Sequence, residues 1–250
     1  MNDRQTPPLT DAVLSRSLEA AEAHGLFDRL NQLHGTLRSG SCAGCARCCA
    51  ESVNAFYIEF LAIRRRLDRD PALKARLMPR ILRHYLLEMV AVMPCPFLDE
   101  DRRCAVYEDR PLVCRQFGHW SRRDFQRNAE AVKRQNRAAA AYYRKNHGLM
   151  LPEAVVNQGL TYCEAFTVPH KTGPLKRGEQ ADAVFALDMT LLGLGLLDDA
   201  LVGTPLVTWF VYTLYDPEEA GRLRLKVMAE YLEGGSSPAL EAALAALSVE

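Results

Sequence analysis

A chain of 250 residues, 48% hydrophobic and 25% charged, is long enough to bury its own core, so structural disulfides are not needed to hold it together. Lys plus Arg and Asp plus Glu stand at 31 each, a formal net charge of zero, which removes any global reason to expect nucleic acid or membrane as a partner. The opening MNDRQTPPLTDAV has no basic flank leading into an apolar core, so export is not expected, and eight cysteines in a reducing, cytoplasmic compartment point to metal or redox chemistry.

The first element predicted is an amphipathic helix opening near Thr10 or Asp11. Leu14, Leu18, Ala21, Leu30, Leu33 and Leu37 follow at three- and four-residue steps, and Gly35 and Gly40 loosen its end. A second helix is predicted from Asn54, an N-cap type, through Phe56, Phe60, Ile63 and Leu67. Asp70-Pro71 opens a third, which passes Leu73, Leu77, Ile81, Tyr85 and Met89 and ends before Pro94 and Pro96.

Residues 95–118 differ in character. CPFL and CAVY are short strand-like pieces around the polar DEDRR, which predicts a small β-hairpin. Ser121 with Asp124 three residues on resembles a capping box, and its helix should run to about Asn146 and stop at Gly148. Beyond Cys163, residues 170–180 (HKTGPLKRGEQ) read as flexible. Asp216-Pro217 and Ser237-Pro238 then open further helices, with Gly234-Gly235 between them. The apolar run 183–215 is interrupted by Asp188, Asp198, Asp199, Gly203 and Pro205, so no uncharged span reaches the roughly 20 residues a bilayer requires, and buried helices are expected.

The expected fold is therefore mainly α. A helical domain at 1–175 carries a cysteine-rich β-hairpin metal module, core 40–120, and an acidic helical extension follows at 176–250. Charge is uneven along it: residues 102–145 carry twelve Lys/Arg against four Asp/Glu, and residues 179–250 three against twelve. A solvated basic helix face that meets the acidic tail within the molecule explains this with fewer assumptions than an RNA or acidic-partner surface.

The informative segment is Cys42-Ala-Gly-Cys45-Ala-Arg-Cys48-Cys49, a CxxCxxCC run with four thiols in eight residues. Two intervening residues let the chain curl until neighbouring sulfurs converge. Small Ala43, Gly44 and Ala46 let backbone N–H groups approach them, and a bound cation offsets the repulsion of the ionised thiols. Cys95, Cys104 and Cys114 follow, then Cys163 alone, and no cysteine lies beyond it. Any single one could be a buried core thiol, a reading as good as ligation for Cys163 and poor for the run.

These residues carry a resemblance. CxxCxxCC, then Cys95-Pro96-Phe97-Leu98, Cys104-Ala105-Val106-Tyr107 and Arg110-Pro111-Leu112-Val113-Cys114-Arg115, resembles the YkgJ-type CxxCxxCC cysteine-cluster family, described as zinc- or iron-chelating proteins. The likeness covers roughly residues 40–120, with Cys163 in the place of a late cysteine that some members carry. A related cysteine module occurs in flagellin lysine N-methylase, which brings in methyl transfer to protein as one hypothesis.

One zinc takes four ligands and leaves half the thiols unused, whereas eight could close two zinc sites. CxxCxxC also has the spacing of the first three ligands of bacterial ferredoxin clusters, whose fourth cysteine precedes Pro as Cys95 does. An iron–sulfur cluster, as 4Fe-4S, is the reading preferred, with zinc the alternative. Arg110 and Arg115 flank Cys114 and are the cofactor-binding cations expected to offset thiolate charge, or else structural members of the turn. His119 could replace a cysteine ligand but reads better as a buried histidine, and Tyr107, Phe117 and Trp120 should wall the site.

No GxSxG, P-loop, GxGxxG after a strand, or HExxH is present. The functions in play are electron transfer or a modification reaction at an iron–sulfur centre, a zinc-stabilised binding module without turnover, and metal storage or delivery. The partner is a protein or small molecule that the residues do not identify.

Overall fold

A computed structural model describes residues 9–38, 40–50 and 53–247. Thr10 opens α1 (Asp11–Ala23) by accepting the Val13 N–H at 3.3 Å, but the helix predicted to pass on to Leu37 stops here. Gly25, at φ 62°, breaks the chain in the left-handed region, and α2 (Leu26–Gly35) restarts from it. The leucine periodicity continues across the break because both helices face the same core, so spacing alone could not reveal it.

The centre of the molecule is α3 (Tyr57–Arg69), with Tyr57, Ile58, Phe60, Leu61, Ile63 and Leu67 fully buried. It begins three residues later than Asn54, which forms an isolated bridge to Pro205. Phe56 precedes it and has no capping side chain. The Phe56 N–H is taken by Glu59 Oε2 at 3.1 Å, and those of Tyr57 and Ile58 by Asp188 at 2.8 and 2.9 Å. The cap of this helix is therefore tertiary, supplied by a residue some 130 positions away.

Asp188 lies on α8 (Pro174–Gly193), which also corrects the flexible reading of 170–180: Pro174 is a first-turn proline of a helix. Burial pushes the Asp188 carboxyl up to about 7, although the Ile58 and Tyr57 amides hold it down. An unfolded Asp titrates near 3.9, so between about pH 4 and pH 7 the folded chain holds a proton that the unfolded chain has released. This group therefore stabilises most in acid and loses its contribution as pH rises to 7. The unfolding free energy of the protein from urea titration is expected to fall relative to Asp188→Asn across that window, by a few kcal/mol in all. A difference independent of pH would refute the assignment.

Asp70 accepts the Leu73 N–H at 3.0 Å and opens α4 (Pro71–Leu87) where predicted. Past the cysteine segment come α5 (Leu112–Gln116), the long α6 (Arg122–His147) capped by Ser121 and ended by Gly148 at φ 68°, and short α7 (Glu153–Val156). After α8, α9 (Leu206–Val211) places Trp209 and Phe210 against Tyr57 and Phe60, with ring centroids 5.0 and 4.9 Å apart. Asp216 and Ser237 cap α10 (Pro217–Gly234) and α11 (Pro238–Ala246), both as predicted. Residues of α8 to α11 belong to the same hydrophobic cluster as α3 and α4. Each large buried side chain there contributes about 1.5–3 kcal/mol.

Two further expectations need correction. The β-hairpin is not formed, since there is no strand among the described residues. Leu98 and Cys104 make one antiparallel bridge, with Ala105 N–H to Phe97 O at 2.8 Å and Asp99 N–H to Arg103 O at 2.7 Å. It cannot lengthen, because Pro94 and Pro96 lack donors, the Cys95 N–H is taken by Cys49 O, and the chain coils into a 3₁₀ turn at Tyr107–Asp109. The second concerns charge. No ion pair among the described residues joins the basic 102–145 segment to the acidic 179–250 tail, and α6 has no fully buried residue. No helix among the described residues is long and apolar enough to cross a membrane.

Candidate metal centre

The 42–49 loop is set by its backbone. Gly44 and Ala46 both take left-handed conformations, φ 62° and 54°, and Cys49 N–H closes a turn on Ala46 O at 3.0 Å. For Ala46 that conformation costs roughly 1–2 kcal/mol, which the surrounding contacts must offset. Three ties fix the loop. Ser41 and Thr167 exchange backbone hydrogen bonds at 2.9 and 3.1 Å, Cys95 N–H donates to Cys49 O at 2.9 Å, and Gln158 Nε2 donates to Ala50 O.

These ties bring the thiols into one electrostatic neighbourhood. Cys48 is pulled down to about 7, first by the adjacent Cys49 thiol that shares its proton and then, against burial, by the Arg110 charge. Cys49 is pushed up by the same sharing, by burial, and by Cys48, Cys95 and Cys114. Burial raises Cys95 to about 11, and Cys104 and Cys48 add to it. Cys104 is raised by burial, while Cys114 goes well above its usual value through burial and then the charges of Cys95, Cys104 and Cys48.

Cys163 is raised by burial and then by Cys48 and Cys45. Thus Cys48, Cys49, Cys95, Cys104 and Cys114 feel one another, Cys163 feels Cys48 and Cys45, and Cys42 and Cys45 are exposed. Among the described residues no three His, Cys, Asp or Glu side chains already stand in an arrangement that would hold a metal ion. Burial first, and then the charge of neighbouring sulfurs, makes most of these thiols hold their protons.

The two arginines divide. Arg110 lies 3.8 Å over the Tyr107 ring, and its Nε is buried with no hydrogen-bond acceptor. Arg115 Nε donates to Arg110 O at 2.8 Å and its Nη2 to Glu108 O, so it braces the turn that carries Arg110. An orphaned guanidinium N–H beside Cys48 and Cys104, within a thiol-only donor set, fits an anionic zinc– or iron–thiolate group.

Cys114 is positioned from the core. Glu59, 1% exposed, accepts the Leu112 N–H at 2.6 Å at the start of α5, together with His34 Nε2 at 3.1 Å and the Phe56 N–H. One carboxylate therefore joins α2, α3 and the helix of Cys114. Sequence reasoning passed over it, although an acid three residues after Phe56 is a capping-box position.

Phe166 was also missed. A Cβ at Gly40 or Gly118 would fall well inside 3.0 Å of its ring, so two glycines form the slot that seats the 163–167 segment. Gly118→Ala is expected to unseat it, at about 1–3 kcal/mol locally. The reading is faster alkylation of Cys163 with near-normal far-UV circular dichroism, and unchanged alkylation would remove the slot from the account.

His119 is buried, accepts the Thr172 N–H on Nδ1 at 3.1 Å and packs on Phe166; no cysteine acts on its titration. Phe117 and Trp120 join Phe125 and Tyr162 in one aromatic group, but Tyr107 is 39% exposed beneath Arg110 rather than part of a wall.

Residues 41–137 match the family model CxxCxxCC, described as "Putative zinc- or iron-chelating domain". That is the family the motifs resemble, over a span that includes seven of the eight cysteines and the first part of α6 and leaves Cys163 outside. No curated protein and no solved structure matches the chain.

Proposed function

We propose that this cytoplasmic protein holds an iron–sulfur centre, as 4Fe-4S, used in electron transfer or in a modification reaction on a protein or small molecule. Its ligands are drawn from Cys42, Cys45, Cys48, Cys49, Cys95, Cys104 and Cys114, with Cys163 as the late candidate. The supporting observation is that thiols from the 42–49 loop and from 95, 104 and 114, far apart in sequence, shift one another's titration beside an arginine N–H without an acceptor.

A cluster, when bound, supplies reversible one-electron transfer. The chain's own residues do the rest. Glu59 holds α5 so that Cys114 faces inward, Arg110 offsets thiolate charge, and Arg115 braces Arg110. One four-ligand cluster leaves three of the seven thiols, or four with Cys163, for a second role, as neighbours that tune the centre or face a substrate.

Anaerobic purification followed by metal and acid-labile sulfide analysis tests the reading. Brown protein with iron and sulfide in comparable amounts is expected. Colourless protein with stoichiometric zinc and no sulfide would replace it with a zinc-stabilised binding module.

A further inference from the structure

α6 carries eight Lys or Arg against two Asp or Glu, and all eight cations are exposed. They are ordered rather than scattered. Arg122-Arg123, Lys133-Arg134 and Arg144-Lys145 recur every eleven residues, which is three turns and about 16 Å of helix, and Arg127 and Arg137 stand between them. At about 100° per residue all eight fall within one arc of roughly 140°. The half-buried Phe125, Val132 and Tyr143 lie on the other side of the helix, and the one acid inside the arc is Glu130.

Two of these cations are answered within the molecule, Arg122 by Glu164 and Arg127 by Asp124 at 2.6 Å. The other six have no carboxylate partner among the described residues. The acidic tail does not supply one, because its carboxylates are engaged where they stand: Asp188 and Asp216 cap helices, Glu179 pairs with Lys176, Glu218 with Arg222 and Glu241 with Arg83. The tail balances α6 in number and not in contact. Like charges four residues apart, as Arg123 with Arg127 and Lys133 with Arg137, disfavour a helix left to itself, and a bound polyanion relieves them.

The rest of the arc selects among polyanions. Between the cations stand Gln126, Ala140 and Ala141, with no bulky apolar or aromatic side chain. Protein interfaces centre on such anchors, helices at a membrane surface insert them, and single strands stack their bases on them. A duplex backbone asks only for cations, and six of the eight are Arg, whose fork matches phosphate. A helix about 10–12 Å across also fits the major groove of B-form DNA, about 12 Å wide, and not the deep, narrow one of duplex RNA.

We propose that the exposed face of α6 binds the phosphate backbone of duplex DNA without reading its sequence. The surface stands on α6 alone and does not depend on which metal the thiols take.

Fluorescence anisotropy with a labelled mixed-sequence duplex of about 20 base pairs tests this on the full chain. A dissociation constant at or below about 100 μM is expected at about 150 mM salt. Four phosphate contacts would give a slope of about −3.6 in log affinity against log salt, so binding should tighten about fiftyfold on dilution to about 50 mM.

Arg134→Glu with Arg137→Glu reverses two unpaired, exposed charges using a good helix former, and should weaken the duplex at least tenfold with unchanged far-UV circular dichroism. The same net change made by Arg69→Glu with Arg76→Glu, exposed on α3 and α4, should cost less than about threefold. No duplex binding at about 50 mM salt, or equal weakening by the two double variants, would overturn the proposal. So would a poly-Glu peptide, a single strand or an RNA duplex of the same length held as tightly as the DNA duplex, the first of these pointing to an acidic protein instead.

Discussion

Glu59→Ala is expected to destabilise the protein by on the order of 4 kcal/mol, measured as a drop in urea midpoint at constant slope. The side chain is 1% exposed and accepts from three groups: His34 Nε2, the Phe56 N–H and the Leu112 N–H. Truncation leaves all three without an acceptor, each at roughly 1–3 kcal/mol. It also opens space beneath the start of α3. Glu59→Gln should recover part of the loss, because its carbonyl oxygen accepts while its NH₂ faces a donor.

The gradation extends to the centre. Glu59→Gln should keep the helical core and weaken metal uptake, since the Leu112 N–H at 2.6 Å is what anchors the helix of Cys114. His34→Ala removes one donor and should have a smaller effect, about 1 kcal/mol. A Glu59→Ala midpoint within 1 kcal/mol of wild type would show that other groups hold α5.

What the residues revealed before any coordinates follows a physical line. Caps made within three residues were legible: Asp70 to the Leu73 N–H, Ser121 to the Asp124 N–H, Ser237 to the Leu240 N–H. The start of α3 was not, because its cap is Asp188 on α8, and no local signal announces a partner at that separation. Gly25 hid inside an unbroken leucine period, and Gly173-Pro174 hid inside a polar stretch although Pro at a first turn is itself a start signal.

The cysteine constellation was legible because ligand spacing is local. The seats that organise it were not: Glu59 looks like one more charged residue of an amphipathic helix, and the Gly40 and Gly118 slot exists only once Phe166, distant in sequence from both, packs against them. The hairpin failed for a related reason, since the donors that a ladder would use belong to the Cys49 loop or are missing at proline.

Cys114→Ser is expected to lower apparent metal affinity at least tenfold and to remove at least about a third of the stability that metal confers. A site loaded at a thousand times its dissociation constant stabilises by about 4 kcal/mol, so the difference between loaded and chelated wild type should be of that size and should fall by at least about 1.4 kcal/mol in the variant. Burial opposes the ionisation of Cys114, with Cys95, Cys104 and Cys48 adding to it. A buried thiolate there is tolerable only with a cation beside it.

Chelation should leave the helical signal nearly intact, because the aromatic core of Tyr57, Phe60, Trp209 and Phe210 closes without the thiols. It should expose Cys48 to alkylation, with a rate that climbs as pH rises through 7, the region to which Cys49 and Arg110 bring it, and that metal suppresses. Cys114→Ser with full metal content, or Cys48 reacting equally fast with and without metal, would place the bound ion somewhere other than among these sulfurs.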